Sequence, residues 1–296
     1  MRRGFPWLTW LVLAATLLLW SGNWIVARAV RDDIAPGIAT AGRLIVVLLI
    51  LLPFTLSGLK RKFGQLQGKS VLVAIGFFGG GLHLAFQWLG LHYTTATSAT
   101  LYLSTAPIFI LLLAAPLLDE RIAARQWAGV AVSFAGVALI GMQGRLLQPS
   151  FNVGDLCALA SMAMWGGYTV FLRMRRDALD IVEFLTLVCL LGLALMTPWV
   201  SVEFLLGATL KLTAAGAAAV LYSAIGSLLL AYAGWSYVVK RMGAARAGAT
   251  MHLMPAIAVG LAALFLGEYP VWYHFAGVAL ILVGVALASL RARETA

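Results

Sequence analysis

Residues 96–139 read ATSATLYLSTAPIFILLLAAPLLDERIAARQWAGVAVSFAGVAL, and residues 244–287 read AARAGATMHLMPAIAVGLAALFLGEYPVWYHFAGVALILVGVAL. The two stretches align without a gap at an offset of 148 residues. They share a proline (Pro107 and Pro255), a glutamate (Glu120 and Glu268) and two clusters of small residues, AGVA and GVAL. These residues in one register indicate a duplication, which predicts two repeats, residues 1–148 and 149–296.

The composition is that of a membrane protein. Of the 296 residues, 62% are hydrophobic and 11% are charged, and the mean hydropathy is +0.95. Soluble domains carry about 25% charged residues. Apolar stretches recur that are each long enough to cross roughly 30 Å of hydrocarbon. We expect an all-α polytopic membrane protein with ten spans, near residues 7–29, 35–57, 70–91, 95–117, 124–143, 154–174, 180–202, 213–237, 244–266 and 271–290.

The basic residues predict how these spans are oriented. Sixteen of the 21 lysines and arginines fall on one side of the predicted spans and four on the other, while Arg43 lies within a span. Under the positive-inside rule, the basic side and both termini are cytoplasmic. The net charge of +10 is explained in this way, so the lipid bilayer is the expected partner and nucleic acid is not. Five spans per repeat make the second repeat inverted, as in secondary transporters that bind substrate near the midplane.

Three groups of residues carry a family resemblance. They are WSGNW at residues 20–24, Pro36 with Arg43, and the two proline–glutamate–glycine series described above. With these motifs the chain resembles the ten-helix EamA-type branch of the drug/metabolite transporter superfamily. Within that branch it is similar to the YddG-type amino-acid exporters of bacterial inner membranes. The resemblance implies helices around a central cavity, with the fifth and tenth spans outside it. It also implies export of small polar metabolites, including aromatic amino acids, by alternating access.

Polar and aromatic side chains within the spans are candidates for a substrate site. An asparagine in hydrocarbon needs a partner or a wet cavity, and polar residues at mid-span usually face the bundle interior. The predicted substrate-binding residues are Asn23, Trp24, His83, Gln87, Tyr102, Trp165, Tyr168, Ser223, Ser227 and His252. The alternative for each is helix packing, an interhelical hydrogen bond or, for the aromatic residues, the interfacial belt.

The mid-span prolines and Arg43 each have two interpretations. Pro107 and Pro255 predict kinks that act in gating, and proline also frees a backbone carbonyl one turn earlier, where an ammonium group would fit. Arg43 either extends to the membrane interface or binds a carboxylate of substrate or protein. The repeated glutamates, Glu120 and Glu268, lie just past a span and are expected to cap a helix or to pin a loop.

The glycines of the fifth and tenth spans allow close approach of helices. We expect them to pack helices within one subunit, and the sequence leaves the oligomeric state open. They are Gly129, Gly136, Gly277 and Gly284.

No metal site, cofactor or catalytic site is expected. The four histidines are dispersed, and no HxxxH, HExxH or CxxC motif occurs. All 11 acidic residues lie at or near predicted span ends, which disfavours an intramembrane enzyme and favours uniport or exchange over proton coupling. The remaining alternatives are a carrier of nucleotide sugars or drugs and a membrane scaffold that does not transport.

Overall fold

The computed structural model describes residues 7–64, 66–119, 122–145, 152–211, 213–242, 250–251 and 253–289. Their helices are α1 (Trp7–Ala29), α2 (Pro36–Phe63), α3 (Lys69–Tyr93), α4 (Ala96–Leu118), α5 (Ala124–Gly141), α6 (Val153–Arg173), α7 (Ile181–Leu205), α8 (Ala214–Met242), α9 (Leu253–Leu266) and α10 (Trp272–Ser289).

Most helix ends fall within three residues of the predicted spans. The exceptions are α2 and α8, which run six and five residues further than predicted. The first residues of the predicted ninth span, 244–249, lie outside the described residues. In the described chain, α1 to α8 are long and apolar enough to cross a membrane, while α9 and α10 are apolar but shorter. The chain is therefore a multi-pass α-helical membrane protein.

Two helices contain π-helical turns at mid-length. Residues Gly76–Leu82 of α3 and Tyr222–Leu230 of α8 form π-helical turns. A Cβ atom on Gly192 of α7 would come within 2.5 Å of the carbonyl carbon of Gly80, so the backbones touch where α3 crosses α7. Such π-helical turns are frequent at functional sites because they redirect the side chains that follow.

The two glycine ridges pack α5 against α10. A Cβ atom on Gly129 would lie 2.5 Å from the carbonyl oxygen of Gly284, and Gly136 lies against Gly277 in the same way. A real Cβ cannot approach a carbonyl oxygen this closely. The glycines thus allow the two helices to pack at backbone contact within one chain, as the sequence predicts.

Polar contacts concentrate at the end of the bundle where α1 finishes and α2 begins, which we call the linked end. The Glu203 carboxylate accepts hydrogen bonds from the amides of Gly37 and Ile38, at 2.9 and 3.0 Å, and so caps α2. The amide of Ala35 donates to the carbonyl of Thr209 at 2.9 Å. Each bond joins residues 7–145 to residues 152–289.

Glu268 makes a second link at the same end. Its carboxylate pairs with Arg28 at 3.3 Å and accepts from the Thr97 amide in the first turn of α4 at 3.1 Å. Arg28 also donates to the carbonyls of Leu91 and His92. Glu268 therefore pins the loop before α10 onto α1 and α4. Its repeat mate, Glu120, lies outside the described residues.

The opposite end of the bundle has fewer polar links between the two parts of the described chain. Lys62 pairs with Glu183 at 2.6 Å, and the Gln126 side chain donates to the carbonyl of Ala288 at 3.2 Å. These bonds join α2 to α7 and α5 to α10. The polar contacts between the two parts are thus distributed unequally between the ends of the bundle.

The loop between α6 and α7 is held by hydrogen bonds among its own residues. Arg175 donates to both carboxylate oxygens of Asp177, at 2.6 and 2.7 Å, and the Leu179 amide donates to the same carboxylate at 3.0 Å. Burial disfavours the ionised carboxylate, but these hydrogen bonds outweigh it and hold the pKa of Asp177 below its usual value.

Candidate functional site

A cavity of about 210 Å³ lies at the centre of the helix bundle. Its volume is below the roughly 300–1,000 Å³ typical of drug-sized ligand sites, which suits a small metabolite. Its wall is formed by Trp20, Asn23, Trp24, Arg43, His83, Leu84, Gln87, Leu103, Ser104, Ala106, Pro107, Ile110, Met162, Trp165, Ser227, Leu228, Tyr232, Met251, Met254 and Pro255. Both parts of the chain contribute to this wall.

The structure brings two predicted polar residues together in this wall. The Asn23 amide on α1 donates to the Gln87 side-chain oxygen on α3 at 3.1 Å, and both residues are buried. The Asn23 Oδ1 atom is also buried but accepts no hydrogen bond. An unpaired buried oxygen is costly, so a ligand donor that reached this atom would be stabilised by it.

Aromatic rings cover one side of the cavity. Trp165 lies 5.1 Å from the ring of His83 and 5.1 Å from the ring of Tyr168, measured between ring centroids. His83 is fixed by a 2.9 Å contact between its Nδ1 atom and the Ser161 carbonyl oxygen. Neighbouring contacts therefore fix the orientation of the Trp165 ring.

A second aromatic group faces the cavity from α1 and α8. Trp20 packs edge-on against Tyr232 at 5.6 Å, and its indole nitrogen donates to the Ser227 carbonyl at 3.1 Å. Sequence reasoning overlooked Tyr232. Ser227 and Tyr232 are five residues apart, and the α-helical spacing assumed for this span separates them. In the π-helical turn of Tyr222–Leu230, hydrogen bonds join residues five positions apart instead of four. This spacing helps to bring Ser227 and Tyr232 to the same cavity.

Three predicted residues have other positions. Tyr168 lines a neighbouring cavity, Tyr102 is completely buried in the apolar core, and Ser223 is completely buried within α8. His252 lies outside the described residues. The remaining predicted residues, Asn23, Trp24, His83, Gln87, Trp165 and Ser227, all line the central cavity.

Pro107 and Pro255 both line the cavity. Each lacks a backbone N–H, and a neighbouring amide bonds instead to the carbonyl that this N–H would have reached. A 3₁₀ turn at Tyr102–Thr105 precedes Pro107 and lets the Ala106 amide donate to the Leu103 carbonyl. The Met254 amide donates to the Met251 carbonyl at 3.0 Å before Pro255. Because each of these carbonyls has a donor, they are weaker candidates for ammonium capture than the sequence suggested.

The neighbouring cavity, of about 280 Å³, borders the central one and is lined by residues of α2, α3, α6, α7 and α8. The two share Leu84, Leu228 and Tyr232. The second one reaches Ile181 and Val182 at the start of α7, which are 51% and 42% exposed. The neighbouring cavity therefore reaches toward the end of the bundle where Lys62 pairs with Glu183.

Comparison with known proteins identifies the family. The model of the EamA-like transporter family matches residues 6–142 and again residues 152–290. The chain belongs to the EamA-like transporter family. The family assignment covers nearly the whole sequence and places the cavity in a transporter. Among the described residues, no group of three or more His, Cys, Asp or Glu side chains is arranged to hold a metal ion.

Several relatives that are named as transporters or exporters match along most of the chain. An uncharacterized transporter of Archaeoglobus fulgidus is 27% identical over 97% of this chain and 99% of its own length. A probable terminal-alkyne amino-acid exporter of Streptantibioticus cattleyicolor is 28% identical over 69% of this chain and 67% of its own. A solved crystal structure with 24% identity and a TM-score of 0.58 covers 94% of this chain and 95% of that one, and shows the same fold.

Proposed function

We propose that this EamA-type protein is a secondary transporter that exports small polar metabolites, most specifically amino acids, including aromatic ones. The central cavity carries the proposal, because it combines the Asn23–Gln87 amide pair with the rings of Trp20 and Trp165. Amides suit the polar ends of an amino acid, and the rings suit an aromatic side chain. The relative named as a probable amino-acid exporter supports the same substrate class.

The proposed architecture is ten spans arranged as two inverted five-helix repeats, residues 1–148 and 149–296, around the cavity. The π-helical turns support it, since they occur in the third helix of each repeat. The basic residues favour cytoplasmic termini in a bacterial inner membrane. In that orientation the linked end faces outward, and the neighbouring cavity reaches the cytoplasmic end.

Export by alternating access follows from this arrangement. Substrate enters from the cytoplasm while the linked end is closed by the bonds of Glu203 and of Glu268 with Arg28. Release requires those bonds to break and the cytoplasmic ends of the helices to approach each other. Because the described acids lie at helix ends and not at the cavity, the proposed transport is driven by the substrate gradient or by exchange.

Uptake into proteoliposomes tests the function. Purified protein should take up labelled phenylalanine and threonine faster than protein-free vesicles, and unlabelled amino acid inside should accelerate entry by exchange. Failure to move any amino acid, with folded protein, would refute the proposed substrate class. Movement of another metabolite would then indicate a different carrier, and movement of none would indicate a scaffold.

Single cysteines test the orientation. A cysteine at Lys62 should react with an impermeant maleimide only from the cytoplasmic side, and one at Lys211 only from outside. Reaction of both from the same side would exclude the inverted repeats.

A further inference from the structure

Arg43 is a buried cation at the centre of the transporter. It lies on α2 in the cavity wall, and its side chain is completely buried. Its Nε and Nη2 atoms are buried without a hydrogen-bond partner. A guanidinium stays charged in proteins, so these are unpaired donors on a cation within the membrane-spanning region.

No carboxylate in the described part of the chain pairs with Arg43. The four ion pairs there involve Arg28, Arg31, Lys62 and Arg175. Arg43 lies 5.5 Å from the centre of the Trp88 ring, and this cation–π contact compensates for only part of the hydration that burial removes. A buried charge without a partner is among the most costly features that a fold can contain. The missing partner is therefore expected to be an anion that arrives in the cavity.

We propose that Arg43 binds the carboxylate of the transported molecule, so that the transporter selects substrates by that group. The inference rests on the proposed function and extends it to the chemistry of recognition. The planar guanidinium matches a carboxylate with two parallel hydrogen bonds, and two of its nitrogens are unpaired here. Because neither nitrogen has accessible surface in this structure, a carboxylate reaches them only when neighbouring side chains move aside. Bonding there then pairs the buried donors and neutralises the charge.

The rest of the cavity fits the other end of an amino acid. Asn23 Oδ1 has no donor, and the faces of Trp20 and Trp165 attract a cation. None of the wall residues is acidic, so no fixed negative charge offsets Arg43 within the cavity. An amine without a carboxylate is repelled by Arg43, whereas a zwitterion places its carboxylate on Arg43 and its ammonium near Asn23.

Four small ligands of similar shape separate these contributions. They are phenylalanine, 3-phenylpropionate, phenylethylamine and phenylalaninamide. Their binding to the purified protein is measured by ligand-induced thermal stabilisation and by quenching of tryptophan fluorescence. Phenylalanine and 3-phenylpropionate should bind, because both carry the carboxylate. The amine and the amide should bind about 30-fold or more weakly, the change typical for loss of one partner of a buried charged pair.

Variants then assign the effect to Arg43. Arg43→Gln should weaken phenylalanine binding by about 30-fold or more and should lose the preference for phenylalanine over its amide. Arg43→Lys should keep part of that preference, because lysine retains the positive charge but lacks the planar group that forms two parallel hydrogen bonds with a carboxylate. The matched control, Arg61→Gln, removes an exposed charge outside the cavity and should change neither.

Stability measurements separate binding from folding. Without ligand, Arg43→Gln should melt at the wild-type temperature or above it, because the variant removes an uncompensated buried charge. A lower melting temperature with ligand discrimination intact would overturn the proposal and give Arg43 a structural role. Equal binding of phenylalanine and its amide to the wild-type protein would overturn it as well.

The two proposals fail in different ways. If 3-phenylpropionate binds and depends on Arg43 but no amino acid binds or is transported, the carboxylate site stands and the amino-acid function is refuted. If amino acids are transported but Arg43→Gln leaves their binding unchanged, the function stands and the carboxylate site is refuted.

Discussion

Replacement of Trp165 by alanine tests the aromatic wall of the cavity. The Trp165 ring contacts the rings of His83 and Tyr168, each at 5.1 Å. An aromatic pair contributes about 0.5–1.5 kcal/mol beyond burial, so the two contacts contribute about 1–3 kcal/mol to folding. Because Trp165 borders an existing cavity, its removal enlarges that space instead of creating a closed void. The cost should therefore stay below the roughly 3–5 kcal/mol of a fully buried tryptophan.

The effect on transport should depend on the substrate. A phenylalanine ring that stacks on Trp165 would lose about 0.5–1.5 kcal/mol, which is about three- to tenfold in affinity. Threonine has no ring to lose, so the ratio of phenylalanine to threonine uptake should fall by that factor. Uptake of both is measured in proteoliposomes, with the melting temperature of each variant recorded in parallel.

Trp199→Ala is the matched control. Trp199 packs on Phe86 at 5.9 Å and donates to Glu203 at 2.8 Å, away from the cavity. This variant should lose stability and should reduce uptake of both substrates in equal proportion. If Trp165→Ala behaves in the same way, with an unchanged substrate ratio, Trp165 belongs to the packing between helices and not to the substrate site.

Three further predictions concern packing, kinks and pH. Gly136→Ala should lower stability by about 1–3 kcal/mol, because its Cβ would meet backbone atoms of α10. The control Gly260→Ala should not lower stability, because its Cβ has no neighbour within 4 Å. Thermal melts compare the two variants. Pro107→Ala and Pro255→Ala should keep or raise stability but slow transport, because a straighter helix resists the conformational change; wild-type rates in both would contradict this. Asp177→Asn should lower stability by about 1–2 kcal/mol at neutral pH. The difference should disappear as the pH falls through 3.8 toward the lower folded pKa, where the native carboxyl is protonated, and a difference that persists in acid would refute the charged bond network.

The sequence predicted the helices and their contacts better than it predicted the cavity. Apolar runs fix where helices form, because a membrane leaves the backbone no other local solution. The glycines of α5 and α10 were predicted to pack helices within one subunit, but that these two helices pack on each other is known only from the structure. Asn23 and Gln87 were each expected to face the interior, but their mutual hydrogen bond depends on the distance between α1 and α3, which no local pattern contains.

Two of the predicted residues that lie away from the central cavity, Ser223 and Tyr102, occur where the helices are irregular. Ser223 and Ser227 stay on similar faces of α8 in either helix type, yet only Ser227 lines the central cavity while Ser223 is completely buried. Tyr232, which follows the π-helical turn of α8, lines the cavity although α-helical spacing would place it on another face than Ser227. Tyr102 was predicted at the cavity, but it falls in the 3₁₀ turn before Pro107 and is completely buried. The glycines of α3 and the prolines are signals that the spacing changes, but they do not specify the resulting rotation.

Protection of a cavity cysteine by substrate tests the central claim most directly. Ser104 lines the cavity, and Ser236 of α8 lies outside it. Each is replaced by cysteine in a background that lacks the buried Cys157 and Cys189, and labelling by N-ethylmaleimide is timed with and without phenylalanine. At ten times its dissociation constant, phenylalanine should slow labelling at position 104 about tenfold and leave position 236 unchanged. If the protein transports phenylalanine but labelling at position 104 is equally fast with and without it, the substrate does not occupy this cavity.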